Sequence, residues 1–254
     1  MIRRAALPPA YEANSAAELW ANFVESQSTS TPILGCISQP AHAALSGRLA
    51  ASLNGKLFSE VPEEVIAAIG NHDAGWAQPD LAALEDAERI FPLSFISMPA
   101  AISVSAWRRS IAEAQCRSPL STFVVRSHFC LLAPRDGDAE HEVFRKQVTE
   151  HLQRTAPEIA HSAADRKRFV DLLGFCDLLS LQLCSGWPVE VQMPLAHPAD
   201  PLSKDAEQLT ISIEGNTLHL DKGTVDLGTR IFADGWARTE SGGLHGRRYE
   251  WTIR

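Results

Sequence analysis

Residues Phe169 to Cys184, FVDLLGFCDLLSLQLC, are apolar on nearly every side when wound at 3.6 residues per turn. That pattern reads as a central buried helix around which other elements pack, and it sets the expectation of a mainly helical chain. Asp177 stands in its middle. An ionised carboxylate in an apolar interior is costly unless it is paired, hydrogen-bonded or bound to a metal. One turn away the helix offers only Leu173, Gly174, Ser180 and Leu181, so the compensating group must come from another segment.

Working outward, three other segments carry ligand-type side chains on apolar faces. A helix beginning at Val61-Pro62-Glu63-Glu64 buries Val65, Ile66 and Ile69 and runs into Gly70-Asn-His-Asp-Ala-Gly-Trp76, which places His72 and Asp73 together at its end. A helix from Pro40 to Leu53 repeats His42, Leu45, Leu49 and Leu53 along one stripe. A third, from Pro119 to Leu132, carries His128 among Leu120, Phe123, Val124, Leu131 and Leu132. Imidazole nitrogens mixed with carboxylate oxygens suit Fe, Mn, Co, Ni or Zn better than Ca or Mg. No cysteine joins the set at zinc-finger spacing, so open coordination positions would point to a catalytic site rather than a structural one.

Each of these residues has a plainer reading. His42 and His128 could be hydrogen-bonded core histidines, and His128 could also serve an anion. His72-Asp73 could be a helix C-cap facing the dipole. Asp177 could be one half of a buried ion pair with Arg126. Trp76, Trp107 and Trp187 read as core or pocket walls. Gln39 and Asp80 are either partners that orient the imidazoles or surface residues. Arg126 and Arg89 could meet a substrate phosphate or carboxylate or lie solvated, and Asp165-Arg166-Lys167-Arg168 reads as a polar helix start.

Elsewhere, further helices are expected near Glu18 to Val24, Ala101 to Cys116 and Ala139 to Arg154, with a long loop containing short helical pieces from Ala77 to Pro99. Pro32 to Ser38 reads as a short buried strand. After Ser185-Gly-Trp-Pro188 the period changes to two: Val189–Val191, Leu209–Ile213, Leu218–Leu220 and Tyr249–Ile253 read as strands, with Glu214-Gly-Asn216 as a hairpin turn.

Composition narrows the function classes. The 254 residues carry a net charge of -8, which disfavours nucleic acid as a partner. No apolar run approaches the roughly 20 residues of a membrane span, and the N-terminus lacks a signal-peptide core. The 5 cysteines, with Cys36, Cys130 and Cys176 in apolar contexts, suit buried reduced thiols. A cytoplasmic protein with a small-molecule, anionic substrate is the expectation. Oligomeric state has no sequence signal.

The order of these motifs resembles the HD superfamily of metal-dependent phosphohydrolases: Gln39-Pro-Ala-His42-Ala43 with Ser46-Gly47, then His72-Asp-Ala-Gly-Trp76, then Ser127-His128, then Asp177-Leu-Leu-Ser-Leu181. The wording is closer still to an uncharacterised bacterial HD-like family (domain of unknown function 3891). The resemblance covers about residues 33 to 185. It implies an HD-like helical bundle over 1–186 with a small C-terminal β-rich appendage, 187–254, packed on it. It also implies that His42, His72, Asp73 and Asp177 hold one divalent transition metal, with His128 serving a second that Asp73 bridges. Asp73 and His128 would be catalytic, and a metal-bound hydroxide would attack a small phosphoester. Two-metal HD proteins supply two further histidines where only His128 is convincing; His141, which could face inward, and His151 and His161 are the remaining ones. The alternatives are an HD-type di-iron oxygenase activating dioxygen, or a non-enzymatic small-molecule binding module.

Overall fold

The computed structural model describes residues 1–5, 11–13, 15–27, 33–86, 92–134, 138–186, 189–194, 208–221, 228–239 and 243–254. The chain opens with strands β1 (Ile2–Ala5) and β2 (Tyr11–Ala13), helix α1 (Ala16–Ser26) and strand β3 (Ile33–Ile37). The helical stretch follows as α2 (Gln39–Leu53), α3 (Glu63–Asn71), α4 (Ala77–Glu85), α5 (Ala100–Gln115), α6 (Pro119–Leu132), α7 (Ala139–Thr155) and α8 (Ala163–Ser185). Strands β4 (Val189–Pro194), β5 (Gln208–Glu214), β6 (Thr217–Asp221), β7 (Thr229–Arg238) and β8 (Leu244–Ile253) close it.

Local chemistry explains the helix starts. The Ser38, Ser118 and Ser162 hydroxyls accept the amides of Ala41, Ser121 and Asp165, at 3.2, 3.0 and 3.0 Å. Pro40 and Pro119 occupy first-turn positions where no amide hydrogen is needed, and Glu63 and Glu64 oppose the α3 dipole. The central helix is as its pattern requires: from Phe169 to Ser185 no residue of α8 is exposed. It packs against α2, α3 and α6.

The α2–α3 crossing is unusually close. A Cβ on Gly47 would lie 2.6 Å from the Gly70 Cα, so only glycine lets these two backbones meet, and the meeting carries His42 and His72 to one place.

The structure overturns the reading of an HD-like helical bundle with a small C-terminal β-rich appendage. The strands form one mixed, curled sheet in the order β1-β3-β7-β8-β6-β5-β4-β2, a half-barrel that uses both ends of the chain. β3 pairs antiparallel with β7 through Gly35↔Ala237 and Ile37↔Gly235, then turns directly into α2. β1 and β2 occupy opposite edges although only five residues separate them. Six links reach at most about 22 Å, whereas eight flat strands span roughly 34 Å, so the sheet must curl. Two of the missed strands are short. The third, β7, alternates correctly, but its inward residues after Ile231 are Ala233, Gly235 and Ala237, too small to show as an apolar period.

Other expectations meet mixed outcomes. The two-residue hairpin stands, with Glu214 opposite Thr217. The Ala77–Pro99 loop contains a nine-residue helix, α4. Cys36 and Cys176 are buried as expected, Cys130 is only partly so, and Cys184 joins them. Trp76 and Trp107 are core residues, packed on Phe95 and Phe129 respectively. Trp187 and Arg89 lie outside the described residues. Among the described residues no helix is long and apolar enough to cross a membrane.

Candidate metal centre

Four elements bring five side chains together. His42 comes from the first turn of α2, His72 and Asp73 from the end of α3, His128 from α6 and Asp177 from the middle of α8. All five are buried. Two overlapping groups, His42/His72/Asp73 and His72/His128/Asp177, each place their donor atoms within 4.8 Å of one another, close enough to hold a metal ion. The imidazoles stand edge-on: His42 to His72 at 5.2 Å between ring centres, His72 to His128 at 5.3 Å.

The hydrogen bonds around the group decide where its lone pairs point. The Ile69 carbonyl, 2.7 Å from His72 Nδ1, can only accept, so Nδ1 carries the proton and donates it. His72 Nε2 then faces Asp177 Oδ1 at 3.2 Å. On the other side the Ser180 hydroxyl donates to the Asp177 backbone carbonyl at 2.8 Å. It therefore accepts from His42 Nδ1–H, also at 2.8 Å, and His42 Nε2 is left facing Asp73 Oδ2 at 3.1 Å and Asp177 Oδ1 at 3.4 Å. Two neutral imidazole lone pairs thus meet two carboxylates with no donor between them. Only a positive species relieves that, either an added proton or a cation.

The titration behaviour follows from the same crowding. Burial disfavours charge on His72, but Asp73 and Asp177 overcome it and push the imidazole up to about 9. Burial likewise disfavours ionised Asp177, and contacts from His128 and His72 outweigh it, holding this carboxyl well below its usual range. His128 Nε2 is buried and 3.4 Å from Asp177 Oδ2, close enough to act on that carboxylate but without a well-formed hydrogen bond to any described residue. An orphaned imidazole nitrogen beside a ready carboxylate fits a metal-binding role. So does the donor chemistry, three nitrogens and two carboxylates without sulfur.

Several expected partners lie elsewhere. Arg126 does not pair with Asp177; it faces His151 and Arg154 on the far side of α6. Asp80 is buried but orients no imidazole. It accepts the Gln39 amide at 2.5 Å and the Met1 ammonium at 2.6 Å. His141 packs on Trp107, and His161 on Phe169. Two serines that the apolar pattern does not single out complete the group. Ser46 and Ser180, whose hydroxyls are 2.8 Å apart, brace His42. Their spacing was the available signal: Ser46 follows His42 by four residues and Ser180 follows Asp177 by three, on the same helical faces.

Ser180→Ala should leave the fold intact and weaken metal binding about 10- to 100-fold, the usual cost of removing a group that orients a ligand. Competition titration with a metallochromic chelator measures it, and wild-type affinity in the variant would contradict this role.

Neither a curated protein nor a solved structure matches the chain. A family model does, over residues 27–234, a span containing all five clustered side chains. The chain therefore belongs to the family described as Protein of unknown function (DUF3891).

Proposed function

We propose that the five-residue group is the metal centre of a hydrolase acting on a small anionic phosphoester. The observation that carries this reading is the convergence of the His42 and His72 Nε2 lone pairs on Asp73 and Asp177, with their proton positions set by Ser180 and Ile69. The order His42, His72-Asp73, Asp177 supports the HD-type chemistry, as a resemblance in motif rather than in fold. His42, His72, Asp73 and Asp177 would hold one divalent transition metal and His128 a second. When bound, such an ion makes water more acidic and withdraws charge from a phosphoryl oxygen.

The chain's own residues supply the rest. The two aspartate side chains are each 10% exposed, against 1% for His42 and His72 and 4% for His128, so the carboxylates form the most open side of the group. Asp73 accepts a proton from the attacking water as its oxygen bonds to phosphorus and the ester P–O bond breaks. Where only one metal is bound, His128 keeps an uncommitted Nε2 and gives a proton from it to the departing oxygen.

The test joins elemental analysis to phosphate release from p-nitrophenyl phosphate and a panel of small phosphate monoesters. Metal-dependent release, abolished by chelation and by Asp73→Asn, is expected. Full metal occupancy with no release from any substrate would overturn the hydrolase reading, and oxygen consumption in the same samples would favour the di-iron alternative.

A further inference from the structure

An open cleft of about 280 Å³ lies between α5, α6 and α7, with Arg108, Gln115, Arg126, Gln147 and His151 in its wall. Arg126 is the unusual member. The residue as a whole is only 7% exposed, and its guanidinium makes no hydrogen bond or ion pair with any described residue, its nitrogens opening instead into this space. Buried arginines normally face a carboxylate, because removing a guanidinium from water without a partner is costly. Here the surrounding charge has the same sign. Burial and the neighbouring Arg154 both push Arg126 below its ordinary value. Burial, Arg126 and Arg154 likewise lower His151, against a smaller opposing effect of Glu158.

The polar groups of the wall are turned toward donation. Arg108 Nη2 donates to Gln147 Oε1 at 2.8 Å, which leaves the Gln147 amide nitrogen as its free group. Arg154 Nη2 donates to His151 Nδ1 at 3.1 Å, which puts the imidazole proton on Nε2. Two guanidinium groups, an amide NH₂ and an imidazole N–H therefore line one small space.

We infer that this cleft binds a small oxyanion, a phosphate or carboxylate group, with Arg126 as its main anchor and Arg108, Gln147 and His151 as further donors. The volume lies just below that of sites for drug-sized ligands, and guanidinium forks match either oxyanion in two-point contact. The site is separate from the metal group. Arg126 and His128 are two residues apart on α6, so their side chains leave the helix on nearly opposite sides.

Calorimetric titration of the full chain at constant ionic strength, with inorganic phosphate and separately with succinate, a carboxylate that chelates metals only weakly, tests this. Saturable one-to-one binding of at least one of them is expected, and which one binds distinguishes phosphate from carboxylate recognition. Arg126→Met should weaken that binding at least tenfold without lowering the anion-free Tm, because the guanidinium it removes has no partner in the protein and faces the like charge of Arg154. His72→Ala should keep wild-type anion affinity. No saturable binding of either anion, wild-type affinity in Arg126→Met, or lost binding in His72→Ala would each overturn the inference. If Arg126→Met does not fold, Arg108→Glu at its exposed position carries the same tenfold expectation, and unchanged affinity there would equally overturn it.

Discussion

His72→Ala should remove most of the protein's affinity for metal, because His72 is the one residue common to both donor groups. Zinc sites with four ligands are worth about 10–16 kcal/mol, so one ligand accounts for about 3 kcal/mol and its loss weakens binding more than 100-fold. Chelation of the wild type should also lower its stability. Metal at a thousandfold excess over its Kd stabilises the fold by about 4 kcal/mol, or roughly 8–16 °C in Tm for a chain of this size. At the same metal concentration His72→Ala, binding more than 100-fold more weakly, should lose only about 1 kcal/mol on chelation. The contrasting possibility is a plain buried ion pair between protonated His72 and Asp177. There the variant would leave Asp177 charged without one of its partners and lower Tm, yet the wild type would ignore chelators. Elemental analysis and thermal melts with and without EDTA separate the two.

Gly75→Ala should be the most destabilising single-methyl change near the site. A Cβ at this position would lie 2.0 Å from the Ala106 carbonyl oxygen and 2.6 Å from the Ser110 amide nitrogen. Both are backbone atoms of α5, which cannot rotate aside as a side chain can. The Gly75 amide also donates to Ser110 Oγ at 2.9 Å, and Arg109 Nε donates to the Gly75 carbonyl at 3.1 Å. The turn after Asp73 is therefore clamped to α5, and overpacking it should cost about 3 kcal/mol, a Tm loss of roughly 6–12 °C. Because Gly75 follows Asp73 by two residues, displacement of the turn should also lower metal affinity. Thermal unfolding and chelator competition measure both, and a wild-type Tm would show that α5 yields more easily than its backbone contacts imply.

Much of the site was legible because it obeys helical periodicity. His42 and His128 stand on apolar stripes, His72-Asp73 ends one, and Asp177 interrupts a helix apolar all round. Each is an internal contradiction between side-chain polarity and burial, visible before any coordinates. The bracing serines were less visible, since a serine carries little weight in an apolar pattern. The sheet was read only in part. Residues 209–213 and 218–220 alternate large and polar residues and are recognisable as strands. The inward side chains of β7 are mostly Ala and Gly, and β1 has four residues whose partner, β3, lies about thirty positions away.

The amino-acid order alone determined most of the helices, most of their inward faces, and that imidazoles and carboxylates are among the buried groups, because these follow from interactions within a few turns of chain; Leu131 and Leu132, read on the inward stripe of α6, are instead exposed. Only the tertiary structure decided that the donors converge, that a curled sheet joins both ends of the protein, and that Arg126 turns away from Asp177. Those outcomes depend on distant backbones meeting, as Gly47 meets Gly70, and no local period encodes which distant segment will fill the space beside a given face.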